Sequence, residues 1–286
     1  MSTLIAVLFD GFSYGMLLFL LSVGLSVTLG LMNFTNLAHG AFAMLGGYVT
    51  YGLVAKAGWP FLATLPLAFI ITALIAAVFE VVLFRRIYNS GELNQVLLTI
   101  GVVFASYAVA AYFFGTVHHS VELPPYLKGF VEVGSLKLPS YRIFLVVIAL
   151  AVTAIVTVTL EYTRFGAMVR ASVDNAKTAS GLGLNTNLIF AMTFALGSGL
   201  AGLGGALAID ILFIDPNFAF HILVPVLIVV SIGGLGSIWG SFLAAAALGI
   251  FDVMGKFLFP DIGAFLIYLF MVVILFFRPD GLFARR

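Results

Sequence analysis

The 286-residue chain is 63% hydrophobic and 9% charged, against roughly 25% charged in soluble globular domains, which excludes a soluble protein and indicates a polytopic membrane protein. Its net charge of +1 leaves no basic face for nucleic acid, and the absence of cysteine removes disulfides, thiol nucleophiles and thiolate metal sites. The opening MSTLIAVLFDG lacks the basic region of a cleavable signal, so the first span is expected to remain in the mature protein.

In chain order, hydropathy predicts a first span over about Phe12–Met32, a polar break from Asn33 to Gly40, and a second span to about Ala55. A third span, Phe61–Phe84, is stopped by Arg85 and Arg86, and a fourth covers Gln95–Gly115. Residues 116–140 form a longer segment with Pro124, Pro125 and Pro139 and nearly balanced charge. The fifth span is Tyr141–Leu160. It leads into the longest polar interruption on one side of the chain, 161–187, which carries Arg164, Arg170, Asp174 and Lys177. Ala167, Ala171, Ala176 and Ala179 favour one short helix over Met168–Ser180, with Gly181 and Gly183 placed to end it. Held between two spans, such a helix suits force transfer to a soluble partner; a solvated basic loop that only sets topology is the alternative. The sixth span is Leu188–Ile209, followed by an outer loop holding Asp210 and Asp215. Residues 218–254 are too long for one crossing, since about 20 residues suffice. Gly233 to Ser237 splits them into two spans, the first short and containing Pro225. The last span is Ile262–Phe277.

The basic clusters at Arg85/Arg86, at Arg164/Arg170/Lys177 and at Arg278/Arg285/Arg286 should share the cytoplasmic side. That parity gives an all-α chain of about nine transmembrane helices, N-terminus outside and C-terminus cytoplasmic, folded as one transmembrane domain. Segment 116–140 then faces outside. Small residues recur every fourth position at Ser22, Ser26 and Gly30, at Gly197, Ala201 and Gly205, at Ser198, Gly202 and Ala206, and at Ser241, Ala245 and Gly249. Such stripes let helices approach closely and signal packing.

The chain contains no G-x-x-x-x-G-K-[ST] loop, no H-E-x-x-H and no G-x-S-x-G, so ATP hydrolysis and proteolysis are not expected of it. His118 and His119 read as surface residues of the outer segment. Glu80 lies near the end of the third span, within reach of Arg85 or Arg86, and Asp252 and Lys256 are spaced for a helix pair. Scarce carboxylates at mid-membrane argue against ion coupling. The break at Asn33, Asn36, His39 and Gly40, with Gly46 and Gly47 beside it, is the strongest polar feature of the membrane region. Polar groups at that depth must face protein or a water-filled cavity, so they read as lining a translocation path. A short loop whose asparagines cap helix ends is the alternative.

Four stretches, NFTNLAHGAFAMLGGY (33–48), RASVDNAKTASGLGLNTNLIFAMTFALGSGLAG (170–202), GGLGSIWG (233–240) and FRPDGL (277–282), resemble the H-type permeases of branched-chain amino acid ABC importers, and the resemblance covers nearly the whole chain. It implies that Arg170, Asp174, Ala176, Lys177, Ala179, Gly181 and Gly183 belong to a segment docked on an ATPase subunit. It further implies assembly in a bacterial inner membrane with a homologous M-type permease, two ATP-binding subunits and a periplasmic binding protein, among membrane lipid and with no nucleic acid. ATP and magnesium would sit on the partner subunits, and this chain would hold no cofactor. A urea or short-chain amide permease is the alternative within the resemblance; a carrier or channel acting alone is the alternative outside it.

Overall fold

The computed structural model describes residues 2–32, 34–88, 90–134, 136–279 and 281–283. Its helices are α1 (Ser2–Met32), α2 (His39–Tyr51), α3 (Phe61–Val82), α4 (Glu92–Phe114), α5 (Ser140–Thr157), α6 (Arg164–Asp174), α7 (Ala176–Gly181), α8 (Thr186–Ala208), α9 (Phe218–Gly233), α10 (Ile238–Leu258) and α11 (Gly263–Phe277). Among the described residues six helices are long and apolar enough to cross a membrane, with α9 and α11 shorter and equally apolar. The chain is therefore a nearly all-α polytopic membrane protein. One departure from all-α lies in segment 116–140, where β1 (Phe130–Val133) pairs antiparallel with β2 (Leu136–Pro139), Phe130 opposite Pro139 and Val133 opposite Leu136. Gly134, at a φ of 64°, supplies the left-handed residue of the turn.

Helix α1 begins ten residues before the expected start at Phe12. The charge of Asp10 does not end it, because Arg142 at the start of α5 meets that carboxylate at 3.2 Å. The core is built on α1, which packs along α10 and α8. Here the small-residue stripes meet as predicted. Ser241 Oγ donates to Ser26 Oγ at 3.0 Å, and a methyl group on Gly24 would overlap the carbonyl of Gly197. Without a hydrophobic drive between helices in lipid, such backbone contact is what holds a bundle together.

Two ends of the bundle follow from the contacts. At one end Arg85 reaches Asn187, Gly30 abuts Gly236, and the main-chain N–H of Leu282 donates to Ile232 at 2.7 Å. At the other, Asp10 meets Arg142, His119 bridges Ile214, and Lys56 lies 5.1 Å from the ring centre of Phe114. Arg285 and Arg286 lie outside the described residues.

Candidate functional site

The polar segment after α5 is not one helix but two. Asn175 adopts an extended backbone (φ −155°, ψ 93°) between α6 and α7, and its side chain accepts the N–H of Thr178 at 2.9 Å. A short polar side chain that caps the helix after it competes with continuing the helix before it. Thr163 caps α6 by accepting from Gly166, and Asn185 caps α8 by accepting from Leu188 at 3.1 Å. At the end of α7, Gly183 N–H donates to Ser180 at 3.0 Å and Leu184 N–H to Ala179 at 3.1 Å. These are the paired bonds of a Schellman turn, and Gly183 supplies its left-handed residue at φ 91°.

Two anchors fix this segment to the bundle. Gly166 lies so close to Leu160 that a methyl group there would overlap its carbonyl, and Arg170 Nη1 donates to the same carbonyl. Leu160 belongs to the π-helical turn Val158–Tyr162 that ends α5. Ala179 is 3% exposed and Val169 is fully buried, so both hold the segment against its own chain. The face left outward carries Asp174, Ala176, Lys177, Gly181 and Gly183. Leu182, 81% exposed, stands among them.

The polar break is built differently. Helix α2 starts partway down α1: His39 donates from Nε2 to the carbonyl of Leu21 at 2.8 Å, well before α1 ends at Met32. At a rise of about 1.5 Å per residue, the chain has returned roughly 16 Å along α1 before α2 begins. Helix α2 thus begins well inside the bundle. Its first turn meets the first turn of α9, where a methyl group on Gly40 would overlap the carbonyl of Ala219. Asn36 is 0% exposed, and neither its Nδ2 nor its Oδ1 has a partner; His39 Nδ1 is also buried without one. The residue capping α2 is Ala38, with no side-chain bond, so Asn36 does not take the capping role.

A family model described as "Branched-chain amino acid transport system / permease component" matches residues 7–275. The chain belongs to that family. The permease is 25% identical to the high-affinity branched-chain amino acid transport system permease protein LivH of Escherichia coli, over 97% of this chain and 94% of the relative. It is 27% identical to LivH of Salmonella typhimurium, over 97% and 94%, and 26% identical to BraD of Pseudomonas aeruginosa, over 97% and 95%. No solved structure gives a significant match.

Within the permease, the residues singled out in sequence separate by place. Arg170 and Ala179 point into the fold and anchor the polar segment after α5, whereas Asp174, Ala176, Lys177, Gly181 and Gly183 form its outward face. Gly40 lies where α2 and α9 meet, His39 reaches Leu21 of α1, and Asn36 is buried just before them. Gly46 and Gly47 pack on α8 and Ile214 and so serve close approach. Asn33 lies outside the described residues. Glu80 is fully buried and takes a forked bond from Arg85, 2.7 Å at its shorter arm, as its position near the end of α3 predicts. Asp252 accepts from Lys256 at 2.6 Å, the expected helix pair. His118 is exposed; His119 is half-buried, bonded through Nε2 to the carbonyl of Phe114 at 3.0 Å, and so structural. Leu182 was missed, although a leucine between two glycines in a polar stretch is a readable signal for an apolar contact left open.

Proposed function

We propose that the chain is one permease subunit of an ATP-driven importer of branched-chain amino acids, placed in a bacterial inner membrane. It crosses the membrane nine times, counting α1 to α5 and α8 to α11, with its N-terminus outside and its C-terminus in the cytoplasm. Residues 161–187 dock on an ATP-binding subunit, and the break at Asn36 and His39 lies on the path of the substrate. A homologous second permease, two ATP-binding subunits and a periplasmic binding protein complete the assembly, and ATP and magnesium act on the partner subunits alone.

The observation that carries this reading is the outward face of α7. Gly181 has open space where a side chain would stand, and Leu182 is almost fully exposed on a segment that is otherwise capped and anchored at every turn. An apolar residue held rigidly outside the hydrocarbon is what a protein partner buries on docking. Arg85 and the end of α9 share that end of the bundle, where excess positive charge marks the cytoplasmic side.

Purification of the tagged permease from native membrane, with identification of the chains retained, tests the assembly. An ATP-binding subunit and a second permease are expected, and leucine uptake should stop when ATP is depleted while the proton gradient is held. A permease recovered alone, with uptake following the gradient, would leave a stand-alone carrier.

A further inference from the structure

A hydrogen-bonded path runs from the end of the coupling segment to the polar break. Arg85 Nη2 donates to the main-chain carbonyl of Asn187, in the first turn of α8, at 3.4 Å. The same guanidinium grips Glu80 with both arms, Nε to Oε1 at 3.2 Å and Nη2 to Oε2 at 2.7 Å. Tyr88 donates its hydroxyl to Glu80 Oε1 at 3.2 Å. Burial, with the Glu80 carboxylate beside it, pushes the Tyr88 phenol far above its usual range, so it stays a donor. Gln95 then gathers the turn: the two hydrogens of Nε2 are shared among the carbonyls of Ile87, Tyr88 and Ser90, which lie 3.3 to 3.4 Å away. Its Oε1 accepts the main-chain N–H of Thr35 at 3.1 Å. Thr35 immediately precedes Asn36.

A network needed only to close the α3–α4 turn would be complete within it. This one leaves the turn in both directions, 102 residues onward in sequence to Asn187 and 60 back to Thr35. Its far end is an element with unmet bonds, since Asn36 Nδ2, Asn36 Oδ1 and His39 Nδ1 are buried without partners. An arrangement of the break that admits water or the polar groups of a substrate would gain those bonds, which favours a second state for the break. Coupling between sites requires such a two-state element, and continuity alone does not supply it.

We infer that Arg85, Tyr88 and Gln95 are positioning residues that transmit displacement of the coupling segment to the polar break, and so set how much substrate moves per ATP hydrolysed. This rests on the importer reading above. The test uses the complete importer, co-purified partners included, reconstituted in liposomes, with radiolabelled leucine uptake and ATP hydrolysis read on the same vesicles. Gln95→Met keeps the shape and removes the polar atoms. It should leave ATP hydrolysis within about twofold while uptake per ATP falls about tenfold, inside the usual range of a coupling free energy. Tyr88→Phe removes one hydroxyl and should lower the ratio about threefold. The double variant Glu80→Gln/Arg85→Met removes both charges together, leaving no unpaired buried ion. It should match Gln95→Met, and the combined triple variant should fall no further.

An unchanged ratio in Gln95→Met and Tyr88→Phe overturns the inference. So does a fall of uptake and hydrolysis in the same proportion, the mark of a clamp that only ends a helix. If Gln95→Met fails to accumulate, Tyr88→Phe decides alone. An unmodified importer that takes up leucine without hydrolysing ATP refutes the importer reading itself, a result distinct from either.

Discussion

The polar segment after α5 and the polar break handle their polar groups in opposite ways. In the segment between α5 and α8, Thr163, Asn175 and Asn185 each cap a helix, and Gly183 closes α7 with a complete Schellman turn. Inside the bundle, Asn36 is wholly enclosed and bonded to nothing through its side chain, and α2 starts without a side-chain cap. The first region satisfies its polar groups from its own chain, whereas the second leaves Asn36 Nδ2, Asn36 Oδ1 and His39 Nδ1 without partners. A rigid, self-sufficient segment suits receipt of a mechanical input. A break with unmet bonds suits a part that rearranges.

The largest expected effect attacks the packing that encloses the break. Gly46 lies against Gly202 so closely that any side chain overlaps main chain. Gly46→Leu should cost at least about 3 kcal/mol, the upper end for overpacking, and remove most folded protein from the membrane. Gly181→Leu, in open space, should leave the yield unchanged. Size-exclusion profiles of detergent-solubilised protein check both, and equal yields would break the contrast.

Next comes the coupling face itself. Gly181→Asp sets a charge where docking removes water, which should weaken the interface by several kcal/mol if the contact is central. Uptake of leucine should collapse and the ATP-binding subunit be lost on purification, with insertion and yield intact. Normal transport by this variant would reduce the segment to a topogenic loop.

At the break the sign is reversed. Asn36→Leu removes a buried amide that has no partner, so the isolated permease should gain about 1–3 kcal/mol of stability. Uptake should fall because the polar break is lost. Thermal unfolding followed by tryptophan fluorescence gives the first quantity and vesicle uptake the second. A destabilised variant with normal uptake would mean that Asn36 is an ordinary structural group.

The smallest effect lies at the opposite end. Burial raises the Asp210 carboxyl above its ordinary value, so its ionised form is penalised in the folded state. That destabilisation is absent below the unfolded pKa and fully present once the pH passes the folded one. Asp210→Asn should therefore raise the unfolding temperature slightly near neutrality and not at acidic pH. A gain equal at both pH values would assign it to something other than charge.

Much of the bundle was legible because hydropathy is a local property and a bilayer has one thickness. Span boundaries at Phe61, at Ile209 and on either side of Gly233 to Ser237 follow from counting apolar residues, and the Glu80–Arg85 pair follows from separation along one chain end. The packing stripes were also readable, although the partner of Ser26, 215 residues away at Ser241, was not. The break at Asn175 between α6 and α7 was hidden because helix propensity on both sides of it is high and one capping bond overrides it. Only the tertiary structure decided that Ala179 turns inward, that α2 begins beside Leu21, and that Gln95 takes the N–H of Thr35. Each depends on how rigid helices cross, a relation between distant residues that no local window of sequence contains.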